Sequence, residues 1–168
     1  MSINTEKKQD ENSADEIACR KADLRKQMKK ILSDIHTGGL HEEKSRAAAD
    51  RFFSSSLYKD CDSVFAFVSF GTEISTLSLL EKLLADGKKT AVPVCRNGNL
   101  VFKRLENARP LDAQLEKGSF GILEPLESLE EADILSEKTV LLMPGLAFFR
   151  ERRKVRAGKS ILRQVSCG

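Results

Sequence analysis

The stretch Thr139-Val-Leu-Leu-Met143, followed at once by Pro144-Gly-Leu-Ala-Phe148, decides the fold of this chain. A short apolar run ends here in a Pro-Gly turn. Buried strands of parallel sheets end in this manner, and open α/β sheets bind their ligands at the carboxyl ends of such strands. We therefore expect residues 139–143 to form a buried strand and the loop at Pro144 to border a ligand site.

Two earlier segments have the composition of neighbouring strands. Residues 64–68 are apolar on both faces, as expected of a strand with helices on both sides. Residues 89–95 follow a leucine-rich helix that ends at Gly87, and a strand–helix–strand unit with a short crossover is nearly always parallel and right-handed. The turn at Asn97-Gly98-Asn99 predicts a hairpin partner over residues 100–104. The predicted fold class is α/β, a three-layer α/β/α sandwich with a mostly parallel sheet.

Helical periodicity precedes the first strand. Residues 1–12 are too polar to form a core, and we expect a disordered extension there. A capping box over residues 13–16 starts a long amphipathic helix, which ends at Gly38-Gly39 because glycine tolerates the left-handed geometry of a helix stop. A second helix is predicted from about His41 to Ser54, and a turn is expected around Tyr58 to Asp62. Beyond the extension, we expect residues 13–168 to form a single domain.

The charge of the chain is small in total but uneven. The net charge is +3, with 40% hydrophobic and 32% charged residues, and nucleic-acid binders are recognised by clustered charge rather than by its total. Basic residues are concentrated between Arg150 and Arg163, where Glu151 is the single acid. This cluster is either a solvated tail or a cradle for a polyphosphate, and Gly158-Lys159 within it favours the cradle.

The sequence has no feature of a secreted or membrane protein. The four cysteines lack the C-x-x-C spacing that is typical of metal sites. The N-terminus lacks the apolar core of a secretory signal peptide, and no run approaches the ~20 apolar residues of a membrane span. We expect a cytoplasmic monomer with no membrane or nucleic-acid partner.

Lys21 and Arg25 are four residues apart on the first predicted helix. Side chains at i and i+4 project from one face, about one turn apart, so these two cations could share one polyphosphate. Basic pairs at this spacing are also common on solvated helix faces. Both interpretations therefore stay open for this pair when it is considered alone.

Glu73 lies directly after a predicted strand, at the start of the next helix. A carboxylate is stabilised there by the helix dipole, and it can also accept two parallel hydrogen bonds from a ligand. Because Glu73 and the Pro144 loop both follow the carboxyl ends of parallel strands, we expect them at the same edge of the sheet.

Residues 105–138 alternate turns with acidic stretches, which predicts loops and one short helix near Leu111 to Glu116. Within them, Lys117-Gly-Ser-Phe-Gly-Ile-Leu-Glu-Pro125 contains no obvious catalytic group. Its glycines and proline are typical of tight bends, so we interpret it as a structural loop. His36 and His41 show no partner pattern and are interpreted as surface residues near the first interhelical loop.

Together these stretches resemble the 5-formyltetrahydrofolate cyclo-ligase (methenyltetrahydrofolate synthetase) family. The family's patterns occur in order over about residues 21–160: Lys21-x-x-x-Arg25, Glu73-Ile-Ser-Thr76, Lys117 to Pro125, and Pro144 to Phe148 followed by Gly158-Lys159. The resemblance implies that Lys21 and Arg25 contact the ATP phosphates and that Glu73 binds the pteridine ring of the folate. It further implies that Lys154, Gly158 and Lys159 bind ATP, and that Gly158 and Lys159 also contact the substrate.

The activity that the resemblance implies is the ATP-dependent conversion of 5-formyltetrahydrofolate to 5,10-methenyltetrahydrofolate. In that chemistry the formyl oxygen attacks the γ-phosphate, and N10 closes the ring as phosphate leaves. Such a reaction depends chiefly on positioning and on neutralisation of charge. The resemblance implies ATP and Mg²⁺ as cofactors.

The chain departs from the family pattern after Phe148. Phe149 replaces an Asp, Arg152 and Arg156 replace glycines, and Arg163 occupies the position of the Asp that holds Mg²⁺ in the family. Because Mg²⁺ prefers hard oxygen ligands, we assign no metal ligand in this sequence. The resemblance thus implies a cyclo-ligase-like domain that is incomplete at its C-terminus.

A shift in reading frame would explain this departure. Residues 160–167 can be encoded by codons that, after removal of one base next to the Ser160 codon, specify Ser-Tyr-Tyr-Asp-Arg-Tyr-Leu. Tyr-Tyr-Asp is the family's sequence at these positions. Our hypothesis is a one-base insertion; the alternative is a genuine but divergent tail. The nucleotide sequence of the gene distinguishes the two.

Two other functions are compatible with the sequence. One is a catalytically inactive remnant that still binds folate or nucleotide, which the altered tail favours. The other is a basic nucleic-acid-binding protein, which only the cluster between Arg150 and Arg163 favours. Salt-dependent binding to random oligonucleotides without a response to folate would indicate the latter.

Overall fold

A computed structural model describes residues 3–118, 121–133 and 138–146 of the chain. Its helices are α1 (Ile3–Thr37), α2 (His41–Phe53), α3 (Ser56–Asp60) and α4 (Leu77–Ala85), with a 3₁₀ turn at Asp112–Gln114. Its strands are β1 (Ser63–Ala66), β2 (Lys89–Arg96), β3 (Asn99–Leu105), β4 (Leu115–Lys117), β5 (Leu123–Pro125) and β6 (Thr139–Leu142). In the part of the chain that the structure describes, no helix combines the length and the apolar character that crossing a bilayer requires.

The main sheet has four strands in the order β3-β2-β1-β6. Strand β1 pairs in parallel with both β2 and β6, and β3 pairs antiparallel to β2. The predicted α/β class with a mostly parallel sheet is confirmed, as is the hairpin that places β3 at the edge. Asn97 and Gly98 form the tight turn of this hairpin, and both have positive φ, 52° and 76°. Such angles are adopted most readily by Asn and Gly.

The main core lies on the face of the sheet that α2 and α4 cover. Leu80 and Leu83 of α4 have no exposed surface and pack in one cluster with Val64 and Val92 of the central strands. Full burial of a leucine contributes about 1.5–3 kcal/mol. A smaller cluster on the other face consists of Phe65, Ala91, Ala132, Phe102 and Leu141. No helix of the described ranges contributes to it, so the second helical layer of the expected sandwich is not among them.

Three local predictions need correction. Helix α1 begins at Ile3 instead of residue 13, so residues 3–12, for which we expected disorder, are helical. This segment contains neither Gly nor Pro, so its sequence does not interrupt the helix. The turn expected after α2 contains the short helix α3, with Ser55 as its N-cap. The region expected to be loops contains the β4–β5 hairpin, whose strands have only three residues each.

The register of β1 and β6 sets the position of the candidate site. Ala66 is paired with Leu142 at the ends of these adjacent parallel strands. The loops that follow, 67–76 and 143–146, therefore leave the sheet side by side. This is the carboxyl edge at which ligands of open α/β sheets bind.

Candidate functional site

Thr76 gives the loop after β1 its shape. Its hydroxyl donates to the carbonyl of Phe67 (2.8 Å) and accepts from the backbone N–H of Ser69 (2.9 Å). The Ser69 hydroxyl in turn accepts from the N–H of Thr76 at 3.0 Å. Only 4% of Thr76 is exposed. Because buried polar groups are costly without partners, these bonds fix both ends of the loop relative to each other.

The Glu73 carboxylate is half-buried in this loop. Its Oε2 accepts a hydrogen bond from the N–H of Phe70 at 3.0 Å, which orients the carboxylate. No described residue donates a hydrogen bond to Oε1. A carboxylate oxygen has two lone pairs, so Oε1 is open to a ligand and Oε2 has capacity left. The resulting group is an oriented acceptor suited to a ligand with two adjacent N–H donors.

Helix α2 supports the same loop from the side. His41 Nε2 donates to the backbone carbonyl of Glu73 at 2.5 Å. Ser45 Oγ accepts from the N–H of Ser75 at 2.9 Å and donates to the carbonyl of His41 at 2.8 Å. The interpretation of His41 as a surface residue is therefore wrong: it is half-buried and bonded to the loop of Glu73. The sequence contains no signal for this contact, which joins residues 32 positions apart.

Glu73 and the Pro144 loop line one cavity of about 570 Å³. The prediction that they lie at the same sheet edge is confirmed. The lining is mostly apolar and includes three partly exposed side chains at 38–59% exposure, Ile74, Met143 and Leu146. Glu73 is the only charged residue among the described residues of this lining. Ligand sites commonly combine apolar walls with a few directed polar groups.

Lys21 and Arg25 line a neighbouring cleft of about 310 Å³. Both are exposed, and neither forms an ion pair with a described residue. Leu24 and Met28 form the apolar part of the cleft, and Leu146 completes it. Leu146 also lines the Glu73 cavity, so the cleft of the two cations and the cavity of the carboxylate adjoin each other at this residue.

The described residues of the Lys117 to Pro125 stretch belong to the β4–β5 hairpin. Gly118 N–H donates to the carbonyl of Ile122 at 2.8 Å. A Cβ at Gly118 would overlap the side chain of Glu124, and Gly121 has φ of +75°. The positive φ favours glycine at position 121, and a side chain at position 118 would require the Glu124 side chain to move. Arg96 of β2 connects to this hairpin, because its guanidinium contacts Glu124 of β5 at 3.5 Å and Glu127, two residues after β5, at 2.7 Å.

The remaining predicted site residues lie outside the described ranges. These are Lys154, Gly158, Lys159 and Arg163, together with Phe149, Arg152 and Arg156. Among the described residues, no group of three or more His, Cys, Asp or Glu side chains could hold a metal ion. This part of the chain thus supplies an acceptor and two cations, but no ligand set for Mg²⁺.

Comparison with known proteins gives a consistent result. Residues 17–160 match the 5-formyltetrahydrofolate cyclo-ligase family. A protein of Mycolicibacterium smegmatis named 5-formyltetrahydrofolate cyclo-ligase is 29% identical over 116 residues, which cover 68% of this chain and 60% of that protein. The chain thus spans about three fifths of the length of this relative.

A solved structure shares the fold. The NMR structure of Aquifex aeolicus 5,10-methenyltetrahydrofolate synthetase superposes with a TM-score of 0.61 at 22% sequence identity. The match covers 76% of this chain and 61% of that one. At this level of identity the likeness concerns the arrangement of helices and strands.

Proposed function

Because this chain belongs to the 5-formyltetrahydrofolate cyclo-ligase family, we propose that it catalyses the ATP-dependent conversion of 5-formyltetrahydrofolate to 5,10-methenyltetrahydrofolate. The observation that carries the proposal is the adjacency of two sites at Leu146. On one side the Glu73 carboxylate faces an apolar cavity, and on the other Lys21 and Arg25 line a cleft. A reaction between a folate and a triphosphate needs such a pair of sites.

Glu73 is the proposed anchor of the pteridine ring. The 2-amino group and N3–H of that ring are adjacent donors, and a carboxylate accepts two parallel hydrogen bonds. Two features support this role: Phe70 N–H orients the carboxylate, and Oε1 has no partner among the described residues. The apolar lining, including Ile74 and Met143, provides surfaces against which a flat ring can pack.

Lys21 and Arg25 are the proposed phosphate contacts. They project from one face of α1 into the same cleft, and no acidic side chain of the described residues neutralises them. A guanidinium and an ammonium on adjacent turns can bind different oxygens of one polyphosphate. We assign Lys154, Gly158 and Lys159 to the same nucleotide site, with the last two also near the substrate, on the basis of the sequence pattern.

The proposed reaction needs positioning more than it needs a protein nucleophile. The formyl oxygen attacks the γ-phosphorus, the bond to ADP breaks, and N10 then displaces phosphate as the ring closes. Lys21 and Arg25 neutralise the charge that is transferred, and Glu73 fixes the ring that bears the formyl group. Mg²⁺ would neutralise further phosphate charge when bound, but the described residues contain no ligand set for it.

The proposal includes a cytoplasmic, monomeric enzyme whose partner is the folate substrate and not a nucleic acid. The family match does not favour the two alternative functions, a ligand-binding remnant and a nucleic-acid-binding protein. Each of these alternatives predicts a different outcome of one experiment.

The experiment combines a spectrophotometric assay for the methenyl product with equilibrium binding. We expect product to form only when 5-formyltetrahydrofolate, Mg-ATP and the protein are all present. Binding of folate without turnover would instead support the remnant. Absence of folate binding together with salt-sensitive binding of oligonucleotides would support a nucleic-acid-binding protein.

A further inference from the structure

The first two turns of α2 contact the backbone on both sides of Ile74. His41 bonds to the carbonyl of Glu73, and Ser45, one helical turn later, bonds to the amide of Ser75. Ser45 also donates to the carbonyl of His41, which connects the two contacts. Ser45 has 4% of its surface exposed, so this connection is shielded from water. The carbonyl of Glu73 and the N–H of Ser75 are thus both bonded to helix α2.

We propose that His41 is a positioning residue for Glu73 and that it acts by fixing the peptide from which the carboxylate projects. The proposal rests on the proposed role of Glu73 as the folate anchor. Glu73 lies in the irregular loop 67–76, outside any strand or helix, and its N–H donates to the carbonyl of Phe70 at 3.3 Å. The bonds of Thr76 secure the ends of that loop at Phe67 and Ser69. The bond from His41 is the one that fixes the peptide carbonyl of Glu73 itself.

In this proposal the contact acts on ligand binding through the position of the carboxylate. Two contacts restrain Glu73: Phe70 N–H donates to the carboxylate Oε2, and His41 donates to the backbone carbonyl. Both contacts exist before a ligand binds, so the entropic cost of ordering the carboxylate is not part of the binding free energy. Without His41 the carboxylate samples more orientations, and the entropy lost when the ligand fixes one of them weakens binding.

The neighbouring ionisable group is His36. Its ring lies 4.9 Å from that of His41 in an edge-on arrangement, and it is exposed. No described contact joins His36 to Glu73. His36 therefore serves as a matched control, because it is the same residue type at the same helix–helix junction.

The test compares His41→Ala, His41→Asn, His41→Gln and His36→Ala in the full chain. The measured quantities are the Kd for 5-formyltetrahydrofolate, the Kd for a non-hydrolysable ATP analogue and the melting temperature. His41→Ala and His41→Asn should weaken folate binding about three- to tenfold, the range for loss of one hydrogen bond. The ATP analogue should bind unchanged. His41→Gln should bind folate with a Kd within about twofold of that of the unaltered protein, because the glutamine amide donor extends as far as the histidine Nε2.

A double-mutant cycle with Glu73→Gln separates positioning from simple support of the fold. If His41 acts through the carboxylate, His41→Ala should have less than about a twofold further effect once Glu73 is altered. Full additivity, or equal losses for folate and the ATP analogue, would overturn the proposal while leaving the proposed function intact. If the unaltered protein binds no folate, the role of Glu73 fails and this proposal fails with it.

Discussion

The hydroxyl of Tyr58 donates a hydrogen bond to the carboxylate of Asp86 and thereby joins α3 to the C-terminal end of α4. Tyr58 also packs edge-on against Phe52 and Phe53, and the ammonium of Lys88 lies 5.0 Å from the centre of its ring. Burial, followed by the hydrogen bond to Asp86, raises the pKa of Tyr58 to about 12. The same bond, with that of Lys82, lowers the pKa of Asp86.

Alkaline titration should show the raised pKa of Tyr58 directly, because Tyr58 is the single tyrosine and the chain has no tryptophan. We expect tyrosinate absorbance with a midpoint near 12 in the folded protein and near 10 in denaturant. A raised pKa means that the contribution of Tyr58 to stability is complete below pH 10 and is lost as the pH rises through 12. In Asp86→Asn the midpoint should fall but stay above 10, since burial is the larger cause. An unchanged midpoint would refute the contact.

The sequence predicted the elements that carry long apolar runs or topological constraints. Strands β1, β2 and β6 were identified because a strand buried on both faces is apolar throughout, and the parallel pairing followed from the crossover helix. The common edge of Glu73 and the Pro144 loop then followed from the topology alone. These conclusions depend on patterns that extend over a whole segment.

Short elements and long-range contacts could not be predicted in this way. The β4–β5 strands have three residues each, too few to show an alternating pattern. The bond from His41 to Glu73 depends on how α2 packs against the loop, which no local pattern in the sequence encodes. Leu146 likewise has no chemical signature, and its position between the two cavities appears only once α1 is placed beside the sheet.

Thr76→Val tests the hydrogen bonds of the loop after β1. Valine keeps the shape of threonine but leaves the carbonyl of Phe67 and the N–H of Ser69 without their hydroxyl partner. An unsatisfied buried group costs about 1–3 kcal/mol, and because these two groups are partly buried, the free energy of unfolding in urea should fall by an amount within about that range. Thr76→Ser retains the hydroxyl, so its free energy of unfolding should fall clearly less than that of Thr76→Val. Thr72→Val, in the same loop, is the control and should be nearly neutral.

Lys21→Ala and Arg25→Ala test the phosphate contacts. Each should weaken binding of an ATP analogue by about 1.5 kcal/mol, roughly tenfold, the lower end of the range for charged hydrogen bonds because both side chains are exposed. Folate binding should not change. Lys26→Ala, an exposed neighbour that does not line the cleft, is the control. If Lys26→Ala weakens nucleotide binding equally, the effect is one of general charge and the cleft has no special role.

Glu73→Gln tests the folate anchor. The substitution keeps the size of the side chain and one acceptor oxygen, but it removes the negative charge and replaces the second acceptor with a donor. Folate binding should weaken by about 1.5–3 kcal/mol, the range for a hydrogen bond to a charged group, while the ATP analogue should bind as before. Calorimetry with each ligand measures both values. Glu81→Gln on α4, outside the Glu73 cavity, is the matched control and should leave both ligands unaffected. Parallel losses for the two ligands in Glu73→Gln would indicate a disturbed fold and would remove Glu73 from the binding site.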